Sequence, residues 1–167
     1  MTKIQILKDQ SIQQRLRRMA FEIYESHYQE EELLIMGIDE RGGALSQKLS
    51  EHLAQISPLN LTLVNAHLDR ESDPNGIGIE VPLDLEDLRN KPVLVVDDVL
   101  YTGNTMLHVV TIILQAAPSS IRTAVLVDRG HRMVPVSADF TGLELATTFH
   151  QHVEFNVSDE GMAAFLH

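Results

Sequence analysis

Short continuous apolar runs alternate along the chain with stretches in which apolar residues recur every three or four positions, a pattern that predicts strands and helices in turn. Ile12, Leu16, Met19 and Ile23 form one apolar stripe and predict an amphipathic helix, capped by Ser11 or Asp9, that ends near Tyr28. Residues 33–38 are an unbroken apolar run, as in a strand buried on both faces. Asp39, Glu40, Arg41, Gly42 and Gly43 read as a loop, after which Leu45, Leu49, Leu53 and Ile56 resume helical spacing. Pro58 ends that helix, and the alternation of Leu59, Leu61 and Leu63 with their neighbours predicts a strand to about Leu68.

Residues 69–82 have no periodicity, a length at which a structureless segment is expected to be a lid, and Asn75-Gly76 predicts a small hairpin within it. Residues 83–90 read as a connector or a short helical turn. A third apolar run, Val93 to Val96, carries Asp97 and Asp98 at its C-terminal edge, followed by a polar loop and a helical pattern that Pro118 breaks. Residues 121–127 predict another buried strand, and residues 134–140, 143–146 and 153–157 shorter late ones, with a terminal turn over 158–167. Strands alternating with helices argue for an α/β fold with a mainly parallel sheet, where ligands sit outside the C-terminal strand ends. Residues 39–43, 98–105 and 128–132 would share that edge.

Composition narrows the classes. At 167 residues the chain is expected to form one domain, 1–167, with a single sizeable core. With 13 Lys and Arg against 24 Asp and Glu, a net charge of −11 repels nucleic acid and anionic membranes. Arg15, Arg17 and Arg18 read as a solvated helix face rather than an RNA patch. The absence of cysteine removes thiolate catalysis, disulfides and cysteine-based zinc sites. No run approaches the roughly 18 apolar residues of a membrane span, so a cytoplasmic location is the expectation.

The chemistry concentrates at residues 97–105. Thr102, Gly103, Asn104 and Thr105 bring hydroxyls and backbone N–H groups to a helix start, the parts of a monophosphate cradle. Asp97 and Asp98 would repel that phosphate but can accept hydrogen bonds from neutral hydroxyls nearby, such as the cis diol of a ribose. A phosphate on one side and a diol on the other describes a ribose 5-phosphate site. Adjacent carboxylates do not fit a haloacid-dehalogenase phosphatase, whose acidic pair is spaced by two. A receiver domain carries its acidic pair in the first strand, and a Walker loop needs a lysine that Gly103-Asn104-Thr105 lacks. Gly42 and Gly43 allow a close approach of backbone N–H groups to an anion, with Arg41 as a fixed cation, although Asp39 and Glu40 oppose this.

The segment VLVVDDVLYTGNT resembles the phosphoribosyl-diphosphate (PRPP) motif of type I phosphoribosyltransferases. Together with PSSIRTAVLVDRGHRMVPVSADFTG, it is similar to the PyrR group, pyrimidine-operon attenuators that are also uracil phosphoribosyltransferases. The resemblance implies the type I phosphoribosyltransferase fold, a central mainly parallel sheet flanked by helices with a small hood at 69–82. It also implies transfer of ribose 5-phosphate from PRPP to uracil with Mg2+, and a homodimer or higher homo-oligomer. Asp97 and Asp98 would bind the ribose hydroxyls, and the metal through them; Tyr101, Thr102, Gly103, Asn104 and Thr105 would surround the 5-phosphate. Tyr101 stands where purine-salvage relatives carry an aspartate base. Glu40, Arg41, Gly42 and Arg70 would meet pyrophosphate, and Asp128, Arg129 and Val153 the nucleobase, with Arg129 and Arg132 reading equally well as surface charges. Where the group has Lys-Thr-Arg-Gly this chain has Asp39-Glu40-Arg41-Gly42, two anions at an anion site. A uridine-nucleotide-sensing RNA attenuator and transfer to another base are the alternative functions, and the acidic balance argues against the first.

Overall fold

The structure, a computed structural model, describes residues 3–69 and 78–167. Its main sheet holds six strands, β2 (Glu32–Ile38), β3 (Asn60–Asp69), β4 (Gly78–Glu80), β5 (Pro92–Leu100), β6 (Ser120–Asp128) and β7 (Phe140–Glu144), in the order β4-β3-β2-β5-β6-β7. Every pairing is parallel except that of β4 with β3. Side-chain parity explains why the central strands are apolar throughout. Leu33, Ile35, Leu94 and Val96 pack with the helices α1 (Asp9–Ser26) and α2 (Asp39–Ile56) in one core cluster. Leu34, Met36, Val93 and Val95 point the other way, into a second cluster with α3 (Asn104–Leu114).

The order of the strands positions the site. After β2 the chain passes through α2 to β3 on one flank, then returns to lay β5 on the other flank of β2. The crevice where strand order reverses therefore lies between the C-terminal ends of β2 and β5, which carry Asp39 and the Asp97–Asp98 pair.

Several boundaries differ from the expectations. The first helix begins at Asp9 with Lys8 at its N-cap and ends at Ser26; Ser11 lies inside it, and the Asp9 carboxylate instead accepts the Met162 N–H at 3.0 Å. Asp39 to Gly43 are not a loop, because α2 starts at Asp39 itself. Gly42 is used for packing: a Cβ there would sit 2.6 Å from the Val96 carbonyl oxygen, so glycine lets α2 lie against β5 and does not open backbone to a ligand. No strand forms over 134–139; the edge strand is β7, and only Leu143 and Glu144 of the expected 143–146 strand belong to it.

The expected terminal turn is a strand, β9 (Gly161–Leu166), which pairs antiparallel with β8 (Val153–Ser158) and with β1 (Ile4–Leu7). This three-stranded sheet, order β1-β9-β8, joins the two ends of the chain and buries Met162, Ala164 and Phe155 against the core. Two alanines in a short run carry little strand preference, so β9 forms only because its neighbours arrive from elsewhere in the chain.

At the lid, His67, Leu68 and Asp69 of β3 pair antiparallel with Gly78, Ile79 and Glu80 of β4. The turn expected at Asn75-Gly76, and Arg70, lie outside the described residues. Residues Leu85–Leu88 make the expected helical turn, a 3-10 turn capped by Asp84.

Candidate active site

Two cavities open along the C-terminal edge of the sheet. The first, a cleft of about 580 Å³, lies at the strand-order reversal and is lined by Asp39, Glu40, Arg41, His67, Asp97, Asp98 and Thr105, among others. It brings together expected residues from the starts of α2 and α3 and the end of β5. Asp97 and Asp98 belong to β5, which continues to Leu100, so the pair projects from a paired strand and not from a loop. The Asp98 N–H donates to Asp97 Oδ1 at 2.9 Å. Burial, and after it the adjacent Asp98 charge, pushes the Asp97 carboxyl well above the usual carboxylate range. A group held this way gains most from hydroxyl donors or a cation brought by a ligand.

Arg41 Nη1 stands 3.8 Å from Asp98 Oδ2, with the arginine side chain 53 % exposed. So loose and wet a pair contributes little to stability, and the guanidinium remains able to turn to an incoming anion. Asp39 adopts the left-handed conformation, φ 52°, and its Oδ1 accepts the Leu68 N–H at 2.9 Å. That strained residue ties the start of α2 to the end of β3 beside the lid. The backbone donors free at this helix end are those of its first residues, ahead of Gly42.

The phosphate-cradle loop closes onto α3. Gly103, φ 88°, is the N-cap; a Cβ there would meet Val134 Cγ2 at 3.0 Å as well as strain the backbone. Thr102 Oγ1 accepts the Asn104 N–H at 3.4 Å, and the Thr102 carbonyl accepts from Met133 N at 2.9 Å, so residues 129–136 brace the loop from outside. The N–H groups of the next residues, Thr105 and Met106, face the start of the helix where an anion can bind.

Among the described residues no group of three or more His, Asp or Glu side chains could hold a metal alone. The donors present, two adjacent carboxylates beside a phosphate cradle, fit an ion that arrives with a phosphorylated substrate. Magnesium is commonly bound in that way, through one or two carboxylates and substrate oxygens.

The second cavity, about 430 Å³, lies between the ends of β6 and β7 and is lined by Asp128 to His131 and by Glu144 to Thr147. Asp128 accepts the Gly130 N–H at 2.8 Å and an Arg132 N–H, and Arg132 also donates to the carbonyls of Tyr101 and Val136. Arg129 is only 3 % exposed; it donates to Thr147 Oγ1 at 3.0 Å and to the carbonyls of Thr148 and Gln151. The Tyr101 ring covers its guanidinium at 3.9 Å, and His131 meets Tyr101 edge-on. Neither arginine is a surface charge. Val153 pairs with Leu166 and packs on the core, and is not among the residues lining the cavity.

His67, His131 and residues 144–147 were not singled out by the sequence pattern. His131 stood inside the quoted motif and could have been noticed there; the others are contributed by strand ends with no local signature. On α1, Arg15 and Arg18 are more than a solvated face, since they donate to the carbonyl of Gly142 at 2.9 and 3.0 Å.

A phosphoribosyl transferase domain model matches residues 4–160. Two curated proteins named bifunctional protein PyrR, from Clostridium kluyveri and Bacillus mycoides, are each 34 % identical, with 94 % of this chain and 92 % of theirs aligned. Among solved structures, the hypoxanthine phosphoribosyltransferase of Trypanosoma cruzi superposes with a TM-score of 0.80 at 15 % identity, covering 96 % of this chain and 95 % of that one. A hypoxanthine-guanine phosphoribosyltransferase from Bacillus anthracis gives 0.79 at 14 %, covering 98 % and 99 %. At such identities the solved structures establish the fold.

Proposed function

The chain belongs to the phosphoribosyltransferase family, and from that premise we propose that it transfers ribose 5-phosphate from PRPP to uracil, yielding UMP and pyrophosphate. The observation that carries this reading is the placement of Asp97, Asp98 and Thr105 in one cleft at the strand-order reversal, with the Asp128 cavity beside it. The carboxylates accept hydrogen bonds from the ribose diol while the start of α3, from Thr102 to Thr105, receives the 5-phosphate. Pyrophosphate then points toward Arg41 and the first N–H groups of α2. As the bond from C1′ to pyrophosphate breaks, negative charge grows on the leaving group, and donors already aimed there stabilise the transition state most. The bond from C1′ to N1 of the base forms as the C1′–O bond breaks, and the N1 proton passes to the departing pyrophosphate or to water.

Magnesium, when bound with PRPP, neutralises charge on the pyrophosphate, and Asp97 and Asp98 would hold it through the ribose hydroxyls. The Tyr101 ring stands over the Arg129 guanidinium at 3.9 Å, which supports a reading in which rate enhancement rests on leaving-group stabilisation. Uracil as acceptor is supported by the PyrR-named relatives.

The test is pyrophosphate release from PRPP and magnesium with uracil, hypoxanthine, guanine or adenine. Release with uracil is expected. Release only with a purine would move the acceptor, and no release with any base would sink the enzymatic reading. The word bifunctional in the relatives' names favours a second reading, a nucleotide-sensing RNA attenuator. The charge of −11 and the engagement of Arg15 and Arg18 with β7 oppose it. A tight, steeply salt-dependent gel shift with a pyrimidine leader transcript would revive it.

A further inference from the structure

The buried guanidinium of Arg129 lines the second cavity, at the C-terminal end of β6. Its backbone N–H donates to the Leu100 carbonyl at 3.0 Å, fastening the end of β6 to the end of β5. Its side chain runs the other way, to the Thr147 hydroxyl and the carbonyls of Thr148 and Gln151. Tyr101, the residue after Leu100 and next to the phosphate cradle, closes over its face. These partners are all neutral. A buried cation is tolerated only where fixed dipoles replace its water, so the oxygens of residues 147–151 are held in place by the charge they solvate. Burial draws the guanidinium pKa down while Tyr101 pulls it back up, and an arginine remains charged throughout. Lysine could not reproduce this geometry, because one ammonium cannot span a hydroxyl and two carbonyls while lying flat beneath a ring.

Thr147 lines the second cavity, and the residues that follow it run directly over Arg129. Nε and Nη2 of Arg129 are turned into that connection and its face is covered by Tyr101, so these donors are spent on the wall of the cavity. We infer that Arg129 is a positioning residue for base recognition, holding residues 147–151 as one wall of the base cavity and fixing that wall relative to the ribose-phosphate loop through Leu100 and Tyr101. This rests on the phosphoribosyl-transfer reading and extends it: affinity for the base depends on the wall that this side chain holds in place.

The experiment separates the two subsites without turnover. Calorimetric titrations at fixed magnesium measure the affinities of ribose 5-phosphate, UMP and GMP for the wild-type chain and for R129M, R129K and T147V. The better nucleotide is expected to bind the wild type at least about tenfold more tightly than ribose 5-phosphate. In R129M that ratio falls below about threefold through weaker nucleotide binding, with ribose 5-phosphate affinity within about twofold. R129K, with the charge but not the fork, gives an intermediate ratio, and T147V, which removes one acceptor, moves the same way by less.

An equal loss for both ligands would make Arg129 a structural residue of the whole site and overturn the proposal, as would an unchanged ratio. Should R129M not fold, R129K and T147V decide on the same ratio. A wild-type chain that binds ribose 5-phosphate but neither nucleotide more tightly overturns this inference and leaves the family reading of the first cleft standing. One that binds none of the three overturns both.

Discussion

The cleft proposed for ribose phosphate and the cavity proposed for the base share one edge of the sheet but are built differently. The cleft is made by consecutive residues of one strand, loop and helix, Asp97 to Thr105, set against the start of α2. Its groups are held by regular hydrogen bonding, and burial together with the adjacent Asp98 charge raises the pKa of the Asp97 carboxyl, which accepts the Asp98 N–H. The proposed base cavity is made by residues far apart in the chain, and its arginines hold distant segments: Arg132 reaches Tyr101, 31 residues away, and Arg129 reaches Gln151, 22 away. One region keeps its carboxylates facing a cleft that a ligand can enter, while the other spends its charge on holding its own walls. Substitutions should therefore divide, with changes in the cleft altering affinity and sparing stability, and changes behind the base cavity altering both.

The largest effect is expected at Asp98. Asp98→Asn replaces a charged acceptor of the diol with a neutral one, and hydrogen bonds to charged groups contribute about 1.5–3 kcal/mol each. Turnover in the pyrophosphate-release assay should fall roughly 10- to 100-fold, with the melting temperature not lowered. An unimpaired Asp98→Asn enzyme would remove the diol clamp.

Arg132→Met tests the other region. It leaves the mostly buried Asp128 carboxylate without its cation and frees the carbonyls of Tyr101 and Val136, at a cost of roughly 2–3 kcal/mol. A drop of about 4–10 °C in melting temperature should accompany weaker binding of both ribose phosphate and nucleotide. Loss of affinity without loss of stability would break the division between the two regions.

A smaller effect, of opposite sign, is expected at Asp39. Asp39→Asn keeps an oxygen for the Leu68 N–H and tolerates the left-handed backbone, yet removes one negative charge from the pyrophosphate end of the cleft. PRPP should bind several-fold more tightly, and the gain should shrink as salt is raised. Weaker binding would mean that the carboxylate itself serves the ligand.

The smallest change concerns stability at Asp97. Because the folded state raises the Asp97 pKa above its unfolded value, the protonated carboxyl is the form that folding favours, and stability declines as pH rises through the folded pKa. Asp97→Asn should therefore raise the melting temperature of the ligand-free protein by a few degrees at neutral pH while impairing turnover. That advantage should narrow as the buffer is made acidic and Asp97 takes up its proton. A melting temperature that does not rise would show that the acidic pair is better solvated than its burial implies.

What the sequence by itself determined is local. The buried strands, the helices between them, the acidic pair and the threonine-rich helix start are each carried by a few neighbouring residues, because side-chain periodicity and helix N-termini are short-range properties. The tertiary structure decided what depends on distant partners. It turned residues 39–43 from a loop into the first turns of α2, since Gly42 must lie against the Val96 carbonyl. It made a strand of residues 161–166, since β1 and β8 arrive to pair with it. And it buried Arg129, an exposed-looking charge in the sequence, beneath Tyr101 and a connection some twenty residues further on, where only the closed fold supplies the oxygens that make a buried cation tolerable.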